Sequence, residues 1–186
     1  MATYQKNYDI IVIGAGHAGS EAALAAARLG CAVLLLAIDL DKIAAMPCSP
    51  SIGGMAKGQL VREIDALGGE MARITDQTAL QYKTLNTRKG PAVQSTRTQN
   101  DKIQYHIAMK AVLERQANLD VKEALVERLI VEDGRVRGVI DRTGFGYSAR
   151  AVIIAAGTFL DGRVHIGSVS YRAGRAGEFA ATALAD

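Results

Sequence analysis

The chain has 186 residues, 49% of them hydrophobic, which is enough for one domain with a real core, and no uninterrupted apolar run approaches the length needed to cross a bilayer. A net charge of +3, from 22 Lys and Arg against 19 Asp and Glu, does not by itself imply a nucleic-acid partner. The polar residues 1–7 lack the apolar stretch and cleavage site of a secretory signal, and Cys31 and Cys48 form neither a disulfide framework nor a zinc-binding spacing. The expectation is a soluble cytoplasmic protein with no metal site and no membrane partner, in which Cys31 is a small buried hydrophobe at the start of a strand.

Residues 8–30 predict a strand, a tight glycine turn and an alanine-rich helix. Gly14 supplies the turn after the apolar run 10–13, Gly16 lets the backbone approach a pyrophosphate, and Gly19 lets the helix pack closely on the sheet. Ala15, His17 and Ala18 complete the GAGHAG loop, whose unpaired helical amides favour an anion. Ala22, Ala25, Ala26 and Leu29 are the expected packing face, and Gly30 the stop.

The second strand is expected over 32–37. Its last position, where Asp or Glu usually meets the adenosine ribose, is Ala37; Asp39, two residues on, either reaches the ribose or caps the loop. The loop 46–54, with Pro47, Pro50, Gly53 and Gly54 around Cys48, excludes regular structure. A helix is predicted from about Gln59, burying Leu60, Ile64 and Leu67 and ending at Gly68-Gly69. Residues 69–100 have mixed patterning and are expected to be loops with short elements. Asn100 or Asp101 caps the next helix, which turns Ile103, Ile107, Ala111 and Leu113 inward and ends near Asn118. Between Lys83 and Arg115 seven basic residues face two acidic ones, a net +5, which either attracts phosphates or is a solvated surface.

A third strand is expected over 121–124, then a hairpin of 128–131 and 135–140 about Asp133-Gly134, and another short strand near Tyr147. This meander feeds a buried parallel strand at 151–154, closed by Ala155, Ala156 and Gly157, which let a backbone approach a ligand. The glycine-rich first turn, the meander crossover and the second small-residue strand end resemble the flavoprotein branch of two-dinucleotide-binding-domain enzymes, so the fold class expected is α/β: a Rossmann-like FAD-binding domain of that type, with a parallel sheet and an antiparallel meander crossover. A nicotinamide domain would more often continue as alternating strands and helices.

Four blocks, IGAGHAGSEAALAAARLG at 13–30, MPCSPSIGGMAKGQLVREIDALGGEMA at 46–72, LNTRKGPAVQSTRTQNDK at 85–102 and AAGTFLDGRVHIG at 155–167, resemble the glucose-inhibited division protein A family of tRNA wobble-uridine 5-carboxymethylaminomethyl modification enzymes (MnmG/GidA). The two middle blocks are the specific ones, since their Pro, Gly and Lys placements follow no helix or strand period.

The resemblance implies an FAD-dependent enzyme that works on tRNA with an MnmE-type GTPase partner, uses NADH and a folate one-carbon donor as co-substrates, and forms homodimers. It implies FAD contacts at Gly14, Ala15, Gly16, His17, Ala18, Gly19 and Val126, with Gly157 and Asp39 as further candidates from the residue reading. Position 181, where the family usually has Ser, is Ala here. Cys48 matches a cysteine implicated in catalysis, where a thiolate adds to carbon 6 of uracil; a lone cysteine is also a common structural residue. Lys57, Arg88, Lys89 and Arg97 fall in the family's blocks as anchors for flavin phosphates, folate carboxylates or tRNA phosphates. Family members are several times longer, so the chain is expected to be the N-terminal part of the FAD-binding domain, without the NADH-binding and C-terminal helical domains and inactive by itself. Two other classes remain open on the residues: a generic FAD/NAD-dependent oxidoreductase and a non-catalytic dinucleotide-binding module.

Overall fold

The computed structural model describes residues 4–186; the first three residues of the polar stretch 1–7 lie outside the described residues. Two compact units are present. One comprises the residues up to Leu40 together with Gln116–Asp186, the other Asp41–Arg115.

The first unit is built on a six-stranded sheet. Its strands are β1 (Tyr8–Ile13), β2 (Val33–Ala37), β6 (Leu119–Glu123), β7 (Val126–Glu132), β8 (Arg135–Asp141) and β9 (Gly146–Ile154), in the order β6-β2-β1-β9-β8-β7. The four strands β6, β2, β1 and β9 are parallel, the strand order of a nucleotide-binding half-fold, and β7, β8 and the start of β9 form the antiparallel meander. Helix α1 (His17–Arg28) packs on β1 and β2. The core of the sheet's other face gathers Tyr8, Ile11, Ile13, Leu34, Leu36, Val126, Val139, Tyr147 and Ala149.

Several local expectations hold for their stated reasons. Helix α1 ends in a Schellman motif, with Gly30 at φ +91 and the Cys31 and Gly30 amides donating to the carbonyls of Ala26 and Ala27. Asp133 and Gly134 both have positive φ, the I′-type hairpin turn that matches strand twist. Others are corrected. Of the expected face of α1 Ala26 is buried, but the rest of the buried face is Gly19, Ser20, Ala23, Leu24 and Ala27 and Leu29 is 84% exposed, because an alanine-rich helix leaves its rotation undetermined by sequence. Cys31 precedes β2 by two residues and is half-buried. The short strand near Tyr147 and the parallel strand 151–154 are one element, β9, which pairs with β8 through 146–148 and with β1 further on. The second half of β9 is parallel as expected but not buried: Ile154 is 46% exposed.

The turn from β8 to β9 is organised by Asp141. Its Oδ1 accepts from the Thr143 amide at 2.9 Å, the Thr143 hydroxyl at 2.6 Å and the Phe145 amide at 3.0 Å, and Oδ2 accepts from the Tyr147 hydroxyl at 3.3 Å. Burial alone raises the carboxyl's pKa; together the four donors outweigh it and hold the group below its ordinary value. A carboxyl with a depressed folded pKa stabilises the fold above its unfolded pKa, and that contribution is lost as pH falls through the folded value. Asp141→Asn is therefore expected to lower unfolding free energy by roughly 1–3 kcal/mol at pH 7. The gap from wild type should close progressively below about pH 4, measured by urea titration. A gap that does not change with pH would show that the ionised carboxylate is not the stabilising form.

The second unit contains a three-stranded antiparallel sheet, β3 (Ser51–Gly53), β5 (Ser95–Asn100) and β4 (Ala79–Leu85), in the order β3-β5-β4. Helices α2 (Lys57–Ala66), α3 (Met71–Thr78) and α4 (Lys102–Arg115) accompany it. Residues 69–100, expected to be loops with short elements, hold one short helix and two strands, whose extent the polar Thr, Gln and Ser side chains on β5 hide from the sequence. Inside, Asn100 Nδ2 donates to the Thr75 carbonyl and the Thr78 hydroxyl, each at 3.1 Å, which ties β5 to α3. The proline- and glycine-rich loop likewise contributes strand β3 at its end.

Helix α2 starts two residues before the expected Gln59 and ends, as expected, at Gly68-Gly69. The Gly69 and Gly68 amides donate to the carbonyls of Ile64 and Asp65 in a second Schellman motif. Its expected buried stripe is corrected: Leu60 is 56% and Leu67 90% exposed, and the helix approaches the sheet through Gly58, where a Cβ would collide with the Ser95 hydroxyl. Asp101 is the cap of α4, its Oδ1 accepting from the amides of Ile103 and Gln104 at 3.0 Å each. That helix buries Leu113 as expected, together with Tyr105 and Met109, while Ile103 and Ile107 are exposed. Apolar residues at 103, 107 and 111 and at 105, 109 and 113 form two rival i, i+4 stripes, and periodicity alone cannot choose between them.

Candidate functional site

The carboxyl ends of β1, β2 and β9 meet around the glycine loop. The Gly14 amide donates to the Leu36 carbonyl and the Ala155 amide to the Ile13 carbonyl, both at 2.8 Å. Gly14 has φ +99, and a Cβ there would press on the Ala155 carbonyl. A Cβ on Gly19 would run into the Gly14 carbonyl and touch Ala155 Cβ. These two glycines are thus required by the protein's own packing. Ala15 is buried, and Ser20 closes the turn, its amide donating to Gly16 and its hydroxyl to Ala15.

Gly16 differs. It is the N-cap of α1 at φ −71, a conformation open to any residue, and a Cβ built on it meets nothing within 4 Å. Neither strain nor packing within the chain asks for glycine there, so the missing side chain leaves room for something outside it. The first turn of α1 has no side-chain cap and no acidic residue, leaving the positive helix end open to an anion. Gly157, at φ +55, opens the 3-10 turn Gly157–Phe159 after β9 and also has open space where a Cβ would lie. Gly14, Gly16, Gly19 and Gly157 therefore share one edge of the sheet, beside the β1/β9 switch point where open α/β sheets take ligands. Burial pushes the His17 imidazole below its usual value, which keeps the ring neutral at pH 7. Ala18 is exposed beside it.

Asp39 is half-buried, two residues past the end of β2. A further acid stands nearby that sequence reasoning missed: Glu123, the last residue of β6, lies in register with Ala37, and its carboxylate accepts from the Leu40 amide at 3.3 Å. Only the pairing of β6 with β2 brings it there, so no local pattern signals it. Val126 is 2% exposed with its side chain in the core. Cys48 belongs to the second unit. It is exposed on a loop anchored by buried Met46 before it and by the Pro50 carbonyl after it, which accepts from the Asn100 amide at 2.6 Å. Among the described residues, no group of three His, Cys, Asp or Glu side chains is placed to hold a metal, and no helix is long and apolar enough to cross a membrane.

The parallel strand order, the glycine turn into an uncapped helix and the meander crossover define a Rossmann-like dinucleotide-binding fold. The chain belongs to the glucose inhibited division protein A family, whose model matches residues 9–186. It is 63% identical over 179 residues to the tRNA uridine 5-carboxymethylaminomethyl modification enzyme MnmG of Syntrophobacter fumaroxidans, covering 96% of this chain and 28% of that protein. The enzyme of the same name from Geobacter sulfurreducens is 56% identical, with 98% of this chain and 29% of that protein covered. Among solved structures, Aquifex aeolicus GidA superposes with a TM-score of 0.91 at 50% identity, covering 96% of this chain and 30% of the other. The chain thus spans about three-tenths of the length of these relatives.

Proposed function

We propose that the chain is the FAD-binding portion of an enzyme that installs a carboxymethylaminomethyl-type group on carbon 5 of the wobble uridine of tRNA. The observation that carries the cofactor assignment is the open space at Gly16 over an uncapped helix end, in a family whose relatives are named as tRNA uridine modification enzymes. The residues fit a dinucleotide: the amides of the α1 first turn would hold its pyrophosphate, with Gly157 beside it and Asp39 or Glu123 as acceptors for a ribose hydroxyl. When bound, FAD supplies two-electron redox chemistry.

Cys48 is the nucleophile in this reading. Its thiolate adds to carbon 6 of uracil, which makes carbon 5 nucleophilic toward the one-carbon unit; once the new carbon–carbon bond is formed at carbon 5, loss of the carbon 5 proton expels the thiolate and restores the 5,6 double bond. NADH and a folate one-carbon unit are the co-substrates, an MnmE-type GTPase the partner, a homodimer the working form and the cytoplasm the compartment. The full activity draws on the NADH-binding and C-terminal helical domains of the family, in the length of the relatives that these residues do not span.

Titration of the purified chain with FAD and with NAD, followed by flavin fluorescence and calorimetry, tests the assignment. FAD should bind weakly and NAD not detectably, since each 1.4 kcal/mol of cofactor contact not supplied by these residues costs about a factor of ten. The chain alone should leave tRNA unmodified. Tight NAD binding without FAD binding, or robust modification by these 186 residues, would overturn the proposal.

A further inference from the structure

Charge is unevenly divided between the two units. Asp41–Arg115 carries eleven basic and seven acidic residues, a net +4, whereas the remainder carries eleven and twelve. The whole surplus lies in one hairpin. From Ala79 to Asn100, the strands β4 and β5 with their connecting loop contain Lys83, Arg88, Lys89 and Arg97 and not one Asp or Glu. None of these four is ion-paired to a carboxylate among the described residues.

The register turns this composition into a surface. Lys83 on β4 is directly opposite Arg97 on β5, which is opposite Gly53 on β3, so the three share one face of the sheet. The next row on that face is Gln81, Gln99 and Ser51. Like charges directly opposed across a strand pair destabilise a sheet, and no carboxylate offsets them here. Gly53, at φ +88 and with no room for a Cβ against the Thr96 carbonyl, leaves the row beside Arg97 open. The Ser51 hydroxyl accepts from Arg97 Nη2 at 3.4 Å and steadies the guanidinium. Tyr82 projects from the opposite face, where its hydroxyl donates to Asp76. Arg88 and Lys89 are exposed in the connecting loop, five and six residues on from Lys83. Strand β4 rises roughly 3.3 Å per residue from Lys83 to Leu85, and the loop then turns at Asn86, whose carbonyl accepts from the Lys89 amide, so Arg88 and Lys89 add a second basic pair beyond the strand end, more than a single phosphate needs.

We infer that the β4–β5 hairpin is a docking surface for the phosphodiester backbone of an RNA strand, with Lys83 and Arg97 as a paired clamp and Arg88 and Lys89 as a second basic pair. The inference rests on the tRNA-modifying reading for its choice of polyanion. Contacts of this kind position RNA without reading its sequence, and each phosphate neutralised contributes about 0.7 to the slope of log affinity against log salt on a single strand.

The test is fluorescence anisotropy of the chain with an unmodified, labelled tRNA transcript from about 50 to 200 mM salt. The wild type, Lys83→Gln/Arg97→Gln and, as a control, Lys42→Gln/Arg115→Gln, which lies in the same unit outside the hairpin, are compared. The hairpin variant should bind about tenfold or more weakly at low salt, with a slope shallower by roughly 1.4, while the control keeps the wild-type slope. Its melting temperature should equal or exceed that of the wild type, because a like-charge pair has been removed, so weaker binding cannot come from misfolding. The proposal is overturned if the wild-type chain has no affinity for the transcript, or if the hairpin variant keeps the wild-type affinity and slope. Flavin binding does not enter this measurement, so the cofactor assignment stands or falls separately.

Discussion

Gly16→Val should leave the chain folded but unable to retain flavin, whereas Gly19→Ala should damage the fold itself. The two glycines stand three residues apart in the same loop, yet the structure gives them different tasks. At Gly16 the backbone is in a region any residue adopts and the Cβ direction is empty, so the substitution costs at most about 1 kcal/mol through a poorer N-cap. The valine side chain would occupy the space assigned to the pyrophosphate. At Gly19 a Cβ collides with the Gly14 carbonyl, a backbone atom that cannot swing aside, and α1 would have to lift from the sheet. That should cost on the order of 3 kcal/mol or more, a fall of roughly 6–12 °C in melting temperature for a chain of this size. Thermal melts and flavin titration of the two variants separate the effects. Undiminished FAD affinity in Gly16→Val would count decisively against a pyrophosphate at this loop.

The second large effect concerns Cys48. In a complete enzyme carrying these residues, Cys48→Ser should preserve the fold and bound flavin and abolish most modification of the wobble uridine, by roughly a thousandfold or more. Stability should barely change, because the side chain is exposed while the loop is held by Met46 and by the bond from Asn100 to Pro50, neither of which involves the sulfur. A hydroxyl is a far poorer nucleophile than a thiol at neutral pH, so a chemical role predicts near-complete loss and a structural role predicts little. Mass spectrometry of nucleosides from the treated tRNA reads the result. Modification at the wild-type rate would make Cys48 a bystander.

The glycine loop and the meander were legible in the chain because their signals are local. A positive φ at Gly14, Gly30 or Gly134 is a demand of the backbone at that residue, and the Asp133-Gly134 turn sets its own hairpin. The family blocks were legible for a related reason: Pro, Gly and Lys at 46–72 and 85–102 sit where no helix or strand period would put them.

What sequence could not decide were the relations between elements. Two apolar stripes ran along α4, and only packing selected Tyr105 and Met109, beside the expected Leu113, over Ile103 and Ile107. The alanines of α1 suit any rotation, and contact with the sheet chose Ala23, Leu24 and Ala27. Glu123 reaches the edge near Asp39 because β6 pairs with β2, although 84 residues separate the two acids in the chain. The opposition of Lys83 and Arg97 exists only in the register of β4 and β5. Composition and backbone preference act within a few residues and can be read there; register, helix rotation and strand neighbours are set by burying apolar surface among segments far apart in the chain, so tertiary structure alone decides them.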